Sequence, residues 1–78
     1  MSPEIKLSQL RPGKTARILC LEGESETNTR LTELGFYPGQ SVEALFSAPS
    51  GDPVAYLVQG TVIALRAAQA EKIAVIRS

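Results

Sequence analysis

Residues 54–65, VAYLVQGTVIAL, decide the fold class of this chain. β-Branched and aromatic side chains, which favour strands, are frequent in Val54–Val58 and Thr61–Leu65. Only Gln59 and Gly60 separate the two runs, and a two-residue connection with a glycine is typical of a tight β-hairpin. The stretch therefore predicts two adjacent antiparallel strands, with Gly60 at a positive φ.

Three further segments alternate apolar and polar residues as half-buried strands do. They are Thr15–Leu21, with Ala16, Ile18 and Cys20 predicted inward; 41–47, with Val42, Ala44 and Phe46 inward; and Ile73–Ile76. Pro12-Gly13 and Pro38-Gly39 precede the first two, and this dipeptide favours a type II turn. The chain thus has five predicted strands, and Cys20 is interpreted as a small buried hydrophobe.

One helix is predicted over 29–34, capped by Thr27 or Asn28, with Leu31 and Leu34 facing the core. Gly35 stands where a left-handed residue ends a helix, and Phe36 can fold back on Leu31. Single helical turns are also predicted over Arg66–Glu71 and around Leu7 and Leu10, the latter with Ser8 as its cap.

Five short strands, tight turns and one or two short helices predict a mainly β fold, a small antiparallel SH3-like barrel. An OB-fold has the same number of strands and an inserted helix, and the pattern leaves it open as an alternative. The length of 78 residues leads us to expect a single domain over 1–78.

The charge of the chain is balanced overall but unevenly distributed. Eight Lys and Arg offset eight Asp and Glu, which argues against nucleic-acid binding. Residues 22–52 hold six acids and one base, Arg30, so the rest of the chain is correspondingly basic. Two interpretations of this uneven charge stay open. Either the acidic and basic regions are solvated faces that screen each other, or their charges orient a charged partner.

The residues that metal sites and catalysis need are scarce. The chain has no His and one Cys, which excludes multi-ligand iron, zinc or copper sites and leaves serine without a base. Gly13-Lys14-Thr15 resembles the end of a P-loop, but position 8 is Ser8 where that motif needs glycine. No apolar run is long enough to span a bilayer and no secretory signal is visible. We expect a cytoplasmic protein that is not an enzyme and holds no metal or cofactor.

Interaction with another macromolecule is the function that this inventory favours. Phe36, Tyr37, Leu45 and Leu57 lie at the helix exit or opposite the inward positions of the strands. They form either an apolar docking patch or a surface that the N-terminal segment and the helix cover.

Several motifs, in this order, resemble the ferrous iron transport protein A family almost end to end. They are Leu-Ser-Gln-Leu-Arg-Pro-Gly at 7–13, Arg-Leu-Thr-Glu-Leu-Gly at 30–35, Pro-Gly at 38–39, Gly-Asp-Pro at 51–53 and Gly-Thr-Val-Ile-Ala-Leu-Arg at 60–66. The resemblance implies an SH3-like barrel and a small accessory of the bacterial ferrous iron permease, ferrous iron transport protein B, which has a GTP-binding domain. Contact with the membrane would then come only through that partner.

The matched motifs make Arg30 and Arg66 the polar candidates for partner contact, beside the four apolar residues. Phe36 stands where the family usually has a smaller aliphatic residue. The resemblance also extends to the C-terminal domain of iron-dependent repressors, so a self-associating or small-ligand-sensing module, with weak homo-oligomers, is the alternative function. No helix-turn-helix segment precedes the motifs, which argues against a stand-alone DNA-binding regulator.

Overall fold

The computed structural model describes residues 4–78. Its elements are β1 (Glu4–Lys6), a 3₁₀ turn (Leu7–Gln9), β2 (Thr15–Leu21), α1 (Ser25–Leu34), β3 (Ser41–Ser47), β4 (Val54–Val58), β5 (Thr61–Leu65), α2 (Ala67–Ala70) and β6 (Ile73–Arg77). The mainly β, antiparallel class is confirmed. The structure adds one strand to the prediction, β1, whose three residues are too few to show an alternating pattern.

Within the described residues, all strand pairs are antiparallel and the sheet has the order β1-β6-β2-β3-β4-β5. These pairings do not close on themselves, so β1 and β5 are edge strands. The hydroxyl of Tyr56 in β4 nevertheless donates to the carbonyl of Leu7, just after β1, at 3.4 Å. The sheet therefore curls enough to bring β4 next to the segment that follows β1.

The core lies inside this curl. Its buried members come from β2 to β6, both short helical segments, α1 and the α1 exit: Leu7, Leu10, Ala16, Ile18, Leu31, Phe36, Val42, Ala44, Tyr56, Val58, Leu65, Ala70, Ile73 and Val75. The rings of Phe36 and Tyr56 meet edge to face with centroids 6.4 Å apart. Helix exit and sheet are thus packed as one unit.

Two irregularities interrupt the alternation that the sequence predicted. The register of β2 with β6 shifts between Ile18 and Cys20, and that of β3 with β4 shifts between Ala44 and Phe46. A bulge moves every following side chain to the other face of the strand. Cys20 and Phe46 are therefore exposed, and the prediction that they face the core is wrong.

The start of α1 also differs from the prediction. The helix begins at Ser25, so neither Thr27 nor Asn28 caps it. Asn28 instead stabilises the loop before α1. Its side-chain oxygen accepts from the Gly23 N–H at 3.1 Å, and its side-chain amide donates to the Gly23 carbonyl at 2.9 Å. Leu34 is 39% exposed and does not face the core as predicted.

The predicted end of α1 is confirmed. Gly35 has φ 110°, a conformation that L-residues with a side chain avoid. The Phe36 N–H donates to the Leu31 carbonyl at 2.9 Å, the long bond of a Schellman motif. The N-terminal turn has a different cap from the one predicted, because Gln9 Oε1, rather than Ser8, accepts from the Lys6 N–H at 2.8 Å.

Candidate functional site

The outer face of β3, β4 and β5 carries an apolar surface, which we call the outer patch and define as Leu45, Phe46, Leu57 and Val62. Phe46 is 62% exposed and Val62 57% exposed, while Leu45 and Leu57 are half-buried. Leu57 lies directly opposite Val62, and Phe46 lies opposite Ala55, the outward neighbour of Leu57 on β4. Since such cross-strand and diagonal neighbours touch, Phe46, Leu57 and Val62 form one surface, and Leu45 is next to Phe46 at the β3 bulge.

The β4–β5 hairpin sets the register of the patch. Gln59 and Gly60 both have positive φ, 51° and 75°, as a type I′ turn requires, and the predicted hairpin is confirmed. A two-residue turn places Val58 opposite Thr61 and therefore Leu57 opposite Val62. Because Val58 faces the core, both Leu57 and Val62 must face out.

An acidic residue borders the patch. Glu43 lies opposite Leu57 on the β3 side and is half-buried. On the side away from Leu57, Glu43 pairs with Thr15 of β2. A second polar residue therefore continues this edge of the outer patch. The arrangement of apolar centre and polar edge is typical of a protein interface.

Tyr37 lies near the hairpin end of the sheet, in the predicted turn before β3. Gln59 and Gln40 both donate their side-chain amides to the Tyr37 hydroxyl, the latter at 3.2 Å. The Gln40 N–H donates to the Tyr37 carbonyl at 3.1 Å and Gly39 has φ 91°, which confirms the turn. Tyr37 is half-buried, so its contribution to a surface is partial.

The two arginines belong to different elements, Arg30 to α1 and Arg66 to the start of α2. Arg66 follows β5 at the end opposite the hairpin, is 69% exposed, and has its Nη1 4.0 Å from Asp52 Oδ2. Arg30 projects from α1 beside a cleft of about 240 Å³ between α1 and α2. Of the predicted contact residues, Leu57 lies in the outer patch by its register and Leu45 is next to Phe46 at the β3 bulge, whereas Tyr37, Arg30 and Arg66 belong to other elements.

Phe36 does not belong to any surface. Its side chain is fully buried between α1 and the sheet, so the expectation that it stands outward is wrong. The Schellman motif that the sequence predicted is the reason, because it turns Phe36 back onto the helix. Sequence reasoning missed Val62 and Phe46. The hairpin register could have revealed Val62, whereas Phe46 depends on a bulge that has no sequence signal.

Over 4–78 no three acidic or cysteine side chains converge in a way that could hold a metal ion. In the same range no helix has the length and apolarity needed to cross a bilayer.

Burial, with a smaller contribution from Asp52, raises the pKa of Tyr56 to about 12. A hydrogen-bonded ion pair with Glu22 raises the pKa of Lys6, which is half-buried.

Comparison with known proteins places these features in a family. The model of the FeoA domain matches residues 5–77. A fusion of Fe(2+) transport protein A with the Fe(2+) transporter FeoB from Porphyromonas gingivalis (strain ATCC BAA-308 / W83) is 35% identical over 71 residues. That match covers 91% of this chain and 8% of the fusion, so the chain spans only a small part of this curated relative.

Solved structures have the same fold. Iron(II) transport protein A from Clostridium thermocellum is 40% identical with a TM-score of 0.89, over 94% of this chain and 45% of that one. Stenotrophomonas maltophilia FeoA complexed with zinc, described as a procaryotic SH3 domain protein, is 28% identical with a TM-score of 0.78, over 95% and 89%. The IdeR protein of T. acidophilum is 26% identical with a TM-score of 0.83, over 96% of this chain and 34% of its own.

Proposed function

Since the chain belongs to the FeoA domain family, we propose that it is a non-enzymatic cytoplasmic accessory of ferrous iron uptake. Its partner is the cytosolic part of a ferrous iron permease of the FeoB type, and binding modulates transport. The observation that carries the proposal is the fusion protein, in which a region similar to 91% of this chain is continuous with the transporter. Joining two proteins in one chain keeps them at a high effective concentration, which is useful for partners that act together.

The outer patch is the surface that suits this role. Phe46 is an aromatic side chain that is more than half exposed, and aromatic residues at the centre of an interface contribute most of its affinity. Val62 and Leu57 extend the apolar area beside it, and burying each large apolar side chain contributes about 1.5–3 kcal/mol at most. Tyr37, Arg30 and Arg66 are proposed as flanking contacts.

Substitutions in the outer patch test this proposal. In Leu57→Asp and Phe46→Asp, a charge replaces an apolar contact, so affinity for the purified cytosolic part of the permease should fall by about thirtyfold or more. The measurement is calorimetry or biolayer interferometry. Circular dichroism should be unchanged, because Phe46 is exposed and Leu57 is only half-buried.

Leu19→Asp is the matched control. Leu19 is 39% exposed on β2, outside the outer patch, so the same change in chemistry there should leave binding unaffected. Wild-type affinity in both patch variants, with an intact fold, would reject the outer patch as the docking surface. Failure of the wild-type chain to bind the permease would reject the partner itself.

A second function, a self-associating or ligand-sensing module, is favoured by the likeness to part of IdeR. The open edges of β1 and β5 offer backbone groups to a second copy. Sedimentation over a concentration series distinguishes the two proposals, because self-association gives a mass that rises with concentration. A constant 8.3 kDa species excludes self-association.

A further inference from the structure

A cleft of about 320 Å³ lies where the N-terminal segment meets the end of β6. Its lining residues are Gln9, Leu10, Arg11, Lys14, Arg77 and Ser78. Three of the six side chains are cationic. None of the six lining residues has an acidic side chain.

The strand order creates this concentration of charge. β6 pairs with both β1 and β2, so Arg77 lies opposite Ala16 and close to the turn that carries Arg11 and Lys14. The Ser78 N–H donates to the Thr15 carbonyl at 3.1 Å, and the Lys14 N–H to the Arg11 carbonyl at 3.1 Å. Hydrogen bonds of the backbone thereby hold Arg77 around the same cavity as Arg11 and Lys14, which are more than 60 positions away from it in the sequence.

The three cations have no partner among residues 4–78. Neither of the ion pairs recorded there involves Arg11, Lys14 or Arg77, and none of their side chains takes part in a hydrogen bond. Arg17 is different, because its guanidinium donates to the Gly39 carbonyl at 2.8 Å. Like charges held together in a concave site repel one another, and an anion in the cleft relieves that repulsion.

We propose that this cleft binds the phosphate group of a small molecule or of a lipid headgroup. Two guanidinium groups and one ammonium match the multiple oxygens and the charge of phosphate, which guanidinium binds in a bidentate manner. The buried Leu10 gives the cleft an apolar wall. The volume is at the lower end of the range for small-molecule sites, enough for the phosphate and part of the group attached to it.

The first test is a titration with pyrophosphate followed by ¹H–¹⁵N NMR. Saturable shifts are expected on the amides around the cleft, at Leu10, Lys14 and Ser78, with a Kd of about 1 mM or lower at low salt. Arg11→Gln and Lys14→Gln should each weaken binding about fivefold to tenfold, because each removes a charge-assisted contact.

Lys72→Gln is the control, since it removes one positive charge from an exposed side chain outside the cleft. It should bind pyrophosphate with the wild-type affinity. An equal loss of affinity in this control, or shifts spread over the whole surface, would show general ion screening and overturn the proposal. None of the cleft residues belongs to the outer patch, so pyrophosphate binding and permease docking are tested by different variants.

Vesicles distinguish the two sources of phosphate. Co-sedimentation with phosphatidylglycerol vesicles but not phosphatidylcholine vesicles, lost in the Arg11→Gln, Lys14→Gln double variant, assigns the site to a lipid headgroup. Pyrophosphate binding without vesicle binding assigns it to a soluble molecule. No saturable response to either probe overturns the proposal.

Discussion

Tyr56 joins the two sides of the curled sheet. It is 1% exposed, packs against Phe36, and reaches the Leu7 carbonyl with its hydroxyl. A buried phenol resists ionisation, since the charged phenolate would lose its hydration, and the pKa of Tyr56 is accordingly about 12. One side chain therefore makes the stability of the molecule sensitive to alkaline pH.

We expect this sensitivity to appear between pH 10 and pH 12. An unfolded tyrosine has a pKa near 10, so in this interval the unfolded state has lost a proton that the folded state keeps. The free energy of unfolding should then fall as pH rises, by about 2–3 kcal/mol, with no such effect below pH 10.

Urea unfolding of the wild type and of Tyr56→Phe at several pH values measures this effect. Comparing the two proteins cancels the titration of all other groups, so the wild type alone should show the added loss above pH 10. At pH 7 the substitution should cost about 1 kcal/mol or less, because the hydrogen bond is long. Parallel pH profiles would contradict the assignment to Tyr56.

The two phenylalanines show how far sequence reasoning extends at this scale. Phe36 follows a recognisable helix stop, from which its contact with Leu31 was predicted, yet its full burial was not inferred. Phe46 continues an alternating pattern that a bulge interrupts one residue earlier. Local turn chemistry is encoded in neighbouring residues, whereas a bulge results from pairing with a distant strand.

Helix α2 depends on a side chain from a distant loop. Asp52 Oδ1 accepts from the Ala67 N–H at 2.9 Å, and Gln69 Oε1 accepts from the Arg66 N–H at 3.1 Å. Both acceptors satisfy amide groups that a helix start leaves free. A four-residue helix has little intrinsic stability, so these contacts matter for its formation.

Asp52→Ala should lower the free energy of unfolding by about 1 kcal/mol, since it removes the acceptor for Ala67. Asp52→Asn keeps an oxygen at the same position and should recover more than half of that loss. Chemical denaturation of both variants provides the measurement. Equal stability of Asp52→Ala and the wild type would show that water replaces the carboxylate without cost.

The elements themselves were largely predictable. The bounds of the three strands at Thr15–Leu21, Val54–Val58 and Thr61–Leu65 agree with the structure, because turn residues and β-branched runs mark their ends. The start of α1 was predicted four residues too late, because no side chain caps the helix where it begins. The role of Asp52 was also not predictable, since its partner lies 15 residues away.

At the scale of the whole molecule, β6 is the strand on which the architecture depends. It lies between β1 and β2, and three of its five residues, Ile73, Ala74 and Val75, are fully buried. Ile73 and Val75 together contribute about 4 kcal/mol of burial energy. That is comparable to the total stability of a domain of this size.

Removal of residues 73–78 should therefore unfold the chain, with loss of strand signal in far-ultraviolet circular dichroism. Removal of residues 1–6 takes away the edge strand β1, whose described residues are exposed or half-buried, together with the Lys6 contacts to Gln9 and Glu22, and should leave a cooperative unfolding transition at reduced stability. Retention of strand signal after loss of β6 would contradict the central role given to it.

The bulge in β2 has a practical consequence for measurement. It turns Cys20, the sole thiol of the chain, toward solvent on a strand two positions away from β4 in the sheet. A maleimide dye or spin label can thus be attached to the natural sequence at one defined point. Fluorescence anisotropy or electron paramagnetic resonance could then follow the molecule with no engineered cysteine and no second reactive position to block.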